Sequence, residues 1–318
     1  MTVQAPEPTG TRHPGGHSSV RAGLIRSRFL RSGPPARTSG GTGGRLPGRQ
    51  LRDLDLWIPG VLLGALLIGC FILPLTGLVP DPMSGDLTQT LRPPFSPGHI
   101  LGTDTIGRDT MSRVLYGGRT SIEVGLAVNV IGVVAGGFIG MFAGFRRGVL
   151  ESLIMRILDV MLAFPALILT IVVATYLGAS MMNVIWAISF FSIPAYARLG
   201  RAVTLKLREQ VYIDAARMSG RSDWAILRQH IAPNVFPQLA TFSLLQVGIV
   251  VMIEATLSFL GAGEGPSQAS WGTMIAAGQT YLSTNPAQVL VPSAFLFVTV
   301  VCLNLLGDGV RSRYGRGV

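Results

Sequence analysis

Asp214-Ala215-Ala216-Arg217-Met218-Ser219-Gly220, followed at a fixed distance by His230-Ile231-Ala232-Pro233, occupies a polar, basic interval between two long apolar runs. Leu207, Val211, Ala215 and Met218 recur at helical spacing and predict one apolar face, with Arg208, Glu209 and Arg217 off it. Gly220 can take a positive φ and stop that first helix. Ser222 then predicts the N-cap of a second helix starting near Asp223, with Pro233 falling just past its end. Small Ala215 and Ala216 let another backbone or a broad side chain approach closely. Read without a partner, the same pattern is an amphipathic helix at a membrane interface.

The flanking runs belong to a membrane protein. The chain has 318 residues, 48% hydrophobic and 13% charged, with mean hydropathy +0.48. Soluble domains carry about 25% charge. Six apolar segments approach the length that crosses a bilayer: Leu56–Leu75, Ile122–Phe145, Leu153–Leu177, Met182–Ala197, Phe236–Ala262 and Val289–Leu306. The fourth is interrupted by Ser189, Ser192 and Pro194. The fold class is therefore an all-α integral membrane protein with six transmembrane helices. The first helix is expected over 51–76, an external segment over 77–119, a five-helix core over 120–309 with a cytoplasmic loop at 201–236, and a short tail over 310–318.

Charge orients the spans. Of the 26 Lys and Arg, 22 fall before the first span, after the last, and in the turns that include the Asp214 loop, against four (Arg92, Arg108, Arg113, Arg119) on the opposite face. The positive-inside rule puts both termini and the loop in the cytoplasm. Topology accounts for the +10 net charge, which removes the reason to invoke nucleic acid. Residues 1 to about 50, rich in Gly, Pro, Ser and Arg, read as a disordered basic tail. The first apolar run starts too late for a signal peptide and reads as a retained span. Cys70 and Cys302 lie inside spans, and the four histidines are scattered, so neither a disulfide framework nor a metal ligand set emerges.

The Asp214 interval resembles the "EAA" loop of ABC importer permeases: EAA, three residues, Gly, nine residues, then I-x-L-P. Ala215, Ala216, Gly220 and Pro233 match it, while Asp214 stands for Glu, His230 for Ile and Ala232 for Leu. Leu101-Gly102-Thr103-Asp104, Gly107-Arg108-Asp109, Ser112-Arg113 and Gly118-Arg119-Thr120-Ser121 look like the segment before the core of C-type permeases of the dipeptide/oligopeptide/nickel family (DppC/OppC-type). Arg156–Pro165, Glu254–Gly261, Ser270-Trp271-Gly272 and Gly307-Asp308-Gly309 extend the likeness across most of residues 100–309. The resemblance implies a type I, MetI-like permease in a bacterial inner (plasma) membrane, importing di- or oligopeptides, nickel or another small solute. It implies a homologous second permease as heterodimer partner, two ABC ATPase subunits, and an extracytoplasmic solute-binding protein. Asp214, Ala215, Ala216, Gly220 and Pro233 would couple the chain to the ATPases.

No P-loop is present on this chain, since the only lysine is Lys206. No cofactor is expected here, and ATP and Mg belong on the partner ATPases. No hydrolase elbow or metalloprotease motif appears, so the chain reads as no enzyme. Within the spans, Asp159 is expected to pair with Arg156 or with the loop. Glu254 either lines the translocation path or satisfies a helix contact. An ion-coupled carrier using Glu254 and Asp159 is the competing class. Asp104/Arg108 and Asp109/Arg113 predict i,i+4 pairs on a short charged helix capped near Thr103 or Asp104. Pro165 and Pro194 predict kinks. Gly132, Gly136, Gly140 and Gly144 predict a close helix contact.

Overall fold

The computed structural model describes residues 48–263 and 268–314. Most of the basic tail expected over 1–50 falls outside the described residues, as do 315–318 of the tail expected over 310–318, whose first five residues continue α11. Among the described residues the chain is helical, and its only bridges are isolated: Gly85↔Arg108, Ser96↔His99 and Thr103↔Asp109.

Helix α1 (Gly48–Leu67) passes through a π turn and a 3-10 turn to Thr76, and Gly77 ends it at φ +72°. After residues 77–109, α2 (Thr110–Ile131) leads through a π turn at Gly132–Gly136 into α3 (Gly137–Arg146). Then come α4 (Val149–Ala163), α5 (Ala166–Leu177) and α6 (Met181–Arg208). The loop carries α7 (Val211–Met218) and α8 (Asp223–Ile226), and α9 (Ala232–Phe259), α10 (Trp271–Gly278) and α11 (Ala287–Tyr314) complete the chain.

Four stretches are long and apolar enough to cross a membrane: Leu56–Thr76, Thr110–Arg146, Asp223–Phe259 and Ala287–Ser312. A fifth exists if α4 and α5 count as one span, although they meet at a 76° bend. Pro165 explains the bend, because it has no N–H to give a helix and its ring forces the preceding Phe164 out of the helical region, to ψ +134°. The sequence predicts six spans. The remaining long helix, α6, has 28 residues but falls short in apolarity. It lies within the bundle, where Ser189, Ser192 and Tyr196 are buried against protein, and a helix enclosed by its neighbours need not be apolar on every face. It runs unbroken through Pro194.

The tightest packing in the bundle joins the α2–α3 rod to α6. A Cβ on Gly136 would come 2.5 Å from the Ile193 carbonyl oxygen, one on Gly144 2.9 Å from that of Arg201, and one on Gly140 would collide with the Ala197 carbonyl. The predicted glycine face is thus a seam within this chain. At its Gly132 end Tyr196 donates a hydrogen bond to Asn129 Oδ1, and Asn129 Nδ2 donates to the Gly125 carbonyl at 2.7 Å.

The segment between α1 and α2 differs from expectation. No helix forms at 104–109. Asp104 instead folds a turn around itself, accepting from the backbone N–H of Ile106 and Arg108 and from the guanidinium groups of Arg108 (2.7 Å) and Arg113 (3.0 Å). Arg113 therefore pairs with Asp104 rather than Asp109. Asp109 is free to cap α2 through the Ser112 N–H at 2.8 Å and to meet His99 Nδ1 at 2.9 Å. A buried carboxylate with four donors satisfies more lone pairs than an exposed i,i+4 pair would, so the compact turn wins. Gln288 of α11 donates to the Thr103 carbonyl at 2.7 Å, and Trp271 of α10 donates to the Val114 carbonyl at 3.0 Å, tying the segment down.

Candidate functional site

The loop between α6 and α9 is shorter than the sequence suggests. α6 continues to Arg208, and the chain turns at Glu209 and the extended Gln210 before α7 starts. That turn resets the helical phase, so Leu207 does not continue the face of Val211, Ala215 and Met218. Val211 and Met218 are 83% and 90% exposed, and Ala215 is exposed with them. Ile213 is fully buried and Ala216 half-buried, both against a core that includes Met141, Phe145 and Ile226. The expected apolar face therefore points away from this chain, and the anchoring face is the one one residue round.

Gly220 adopts φ +74°. The Gly220 N–H reaches the Arg217 carbonyl at 3.0 Å and the Arg221 N–H the Ala216 carbonyl at 3.2 Å, the pairing of a Schellman helix end. A Cβ there would meet nothing within 4 Å, so backbone conformation alone selects glycine. Ser222 caps α8 by accepting from the Ala225 N–H at 3.3 Å, as predicted. Pro233 does not end a helix. A π turn at Leu227–Ile231 carries α8 into α9, and Pro233, which has no N–H to give to a preceding carbonyl, falls just after that turn. The result is one 37-residue helix from Asp223 to Phe259. Asp214 is exposed and sits 3.6 Å from Arg217. Asp214, Ala215 and Met218 thus share an exposed stretch of an eight-residue helix.

Glu254 is 2% exposed and faces the interior of this chain's own bundle. Its Oε1 accepts from Ser258 Oγ at 2.6 Å, and the hydroxyls of Ser121 and Ser270 also face the carboxylate. Asp159 bonds Arg198 of α6 at 2.7 Å, not Arg156. Arg156 lies less than a turn away on the same helix, whereas Arg198 faces Asp159 across the α4–α6 gap. A second pair, Glu151–Arg201 at 2.6 Å, closes the same gap. Between the pairs lies a cavity of about 490 Å³ lined by Ser152 and Met155. Sequence reasoning overlooked Arg208, whose Nη1 donates to the carbonyls of Gly144 (3.2 Å) and Phe145 (2.7 Å). The available signal was a cationic residue in the last turn of α6, but its acceptors lie over sixty positions away.

Comparison with known proteins bears on this arrangement. The profile of the family described as "Binding-protein-dependent transport system inner membrane component" matches residues 136–318. The glutathione transport system permease protein GsiD of Pectobacterium atrosepticum is 41% identical over 216 residues, covering 68% of this chain and 72% of that protein. The probable D,D-dipeptide transport system permease protein DdpC of Escherichia coli K12 is 40% identical over 231 residues, covering 73% and 77%. Among solved structures, an inward-facing conformation of the MetNI methionine ABC transporter aligns with TM-score 0.53 at 18% identity, over 64% of this chain and 96% of that one. That likeness establishes a shared fold.

Proposed function

The chain belongs to the family of binding-protein-dependent transport inner-membrane components and is a permease subunit of an ABC importer; we propose that its cargo is di- or oligopeptides. The observation that carries the cargo is 40–41% identity to permeases named for glutathione and D,D-dipeptide transport, over two thirds or more of both chains. In this reading a homologous second permease completes the pathway and an extracytoplasmic binding protein delivers the peptide. Two ATPase subunits, carrying ATP and Mg, dock beneath with both termini on their side. The exposed Val211, Ala215 and Met218 suit such a docking surface, because an apolar face left open on a loop gains by burial in a partner's groove. Closure of the ATPases would then move α7 and switch access to the inter-subunit path. Uptake of labelled peptides, with and without this chain, tests the cargo. Import of labelled nickel with no peptide import would overturn it.

A further inference from the structure

α7 hangs between two bends, the extended Gln210 and the left-handed Gly220. A helix of eight residues has little stability by itself, so its position must come from its neighbours. The side chains that fix it converge on the last turn of α3. Ile213, fully buried, shares a core with Met141 and Phe145. Arg217 holds its guanidinium carbon 5.6 Å from the centre of the Phe145 ring, a cation–π contact. From the end of α6, Arg208 donates to the carbonyls of Gly144 and Phe145, which the helix end leaves without internal partners. Arg147, the C-cap of α3 at φ +52°, reaches Glu209 at 2.6 Å in the bend between α6 and α7.

Building on the permease reading, we propose that the last turn of α3, Gly144–Arg147, is the strut through which displacement of α7 enters the membrane helices. Arg208 and Arg217 are the positioning residues that hold α6 and α7 to it. The glycine seam already joins α3 to α6 along their length, so a push on α7 moves the α2–α3 rod and α6 together. The flexible joint is then the Gly220 turn, on the α9 side of the loop.

The test uses the complete importer, reconstituted in vesicles with its ATPase subunits and binding protein, reading ATP hydrolysis and peptide uptake together. Arg208→Gln should keep the ATPases bound and hydrolysing, while uptake per ATP falls at least about five-fold, the low end of couplings between sites. Arg208→Lys, which keeps a cationic donor, should restore most of that ratio. An unchanged ratio in Arg208→Gln overturns the proposal. Spin labels at the exposed positions 146 and 210, which leave the Arg147–Glu209 pair intact, give a second measurement that does not depend on the glutamine variant. Their separation should stay the same between nucleotide-free and ATP-trapped importer, and a shift between those states also overturns it. Wild-type vesicles that import another solute instead of peptide would remove the cargo assignment alone, and the strut is then tested with that solute.

Discussion

Asp159 of α4 holds Arg198 of α6 at 2.7 Å, across 39 residues of chain. Both side chains are about half exposed, and the only buried residue of α4 is Leu158. An exposed ion pair contributes about 0.2–1 kcal/mol. Truncating a buried leucine costs roughly 2–5 kcal/mol. Leu158→Ala should therefore lower thermal stability in detergent well beyond Asp159→Ala. Equal losses from the two would mean that the ion pair, rather than the apolar anchor, secures α4.

The glycine seam separates two kinds of glycine. Gly140→Ala forces a methyl group onto the Ala197 carbonyl and should cost about 1–3 kcal/mol, the usual penalty of overpacking. Gly64 in α1 has nothing within 4 Å of an added Cβ. Gly64→Ala should be neutral or stabilise by up to roughly 1 kcal/mol. Thermal melting and membrane accumulation of both variants check this, and a harmless Gly140→Ala would contradict the packing.

Residues of the loop should respond according to where they point. Ala216 is half-buried in the core, so Ala216→Trp damages folding as well as coupling. Ala215→Trp, on the exposed side, is the cleaner probe and should abolish uptake at normal protein levels. Gly220→Val should cost about 1–2 kcal/mol for its left-handed backbone, with loss of uptake, while Gly220→Asn is tolerated. Asp214→Glu should transport normally and Asp214→Lys poorly. Full uptake by both Ala215→Trp and Gly220→Val would remove the loop as the entry point of force.

Glu254 sits among the hydroxyls of Ser121, Ser258 and Ser270. Glu254→Gln keeps an acceptor for Ser258 and adds a donor, so stability should hold or rise. Glu254→Leu strands the Ser258 hydroxyl and should cost about 1–3 kcal/mol. Uptake by Glu254→Gln is expected to stay normal, because the residue faces the interior of its own bundle. A fall in uptake at unchanged stability would place Glu254 on the path.

Much of the protein is legible in short stretches of sequence because the determining interactions are local. Apolar run length marks the membrane helices. The demand for a positive φ selects Gly220, Ser222 caps the helix three residues ahead, and glycines four apart form one face. Asp104 and Arg108 pair at four residues even though no helix lies between them. The sequence also contains Ile213, Phe145, Arg208 and Arg217, but nothing in their spacing joins them. Arg208 finds its acceptors 63 and 64 residues away, Arg147 finds Glu209 across 62, and Asp159 passes over Arg156 for Arg198. These partners are chosen by which helices the seam brings side by side. The bend at Glu209–Gln210 and the π turn before Pro233 decided which face of α7 is anchored and that α8 and α9 are one rod. Local propensity tells a segment what shape to take, but the partners of a charge or a helix face are fixed only when the bundle closes and burial forces each polar group to the nearest complement.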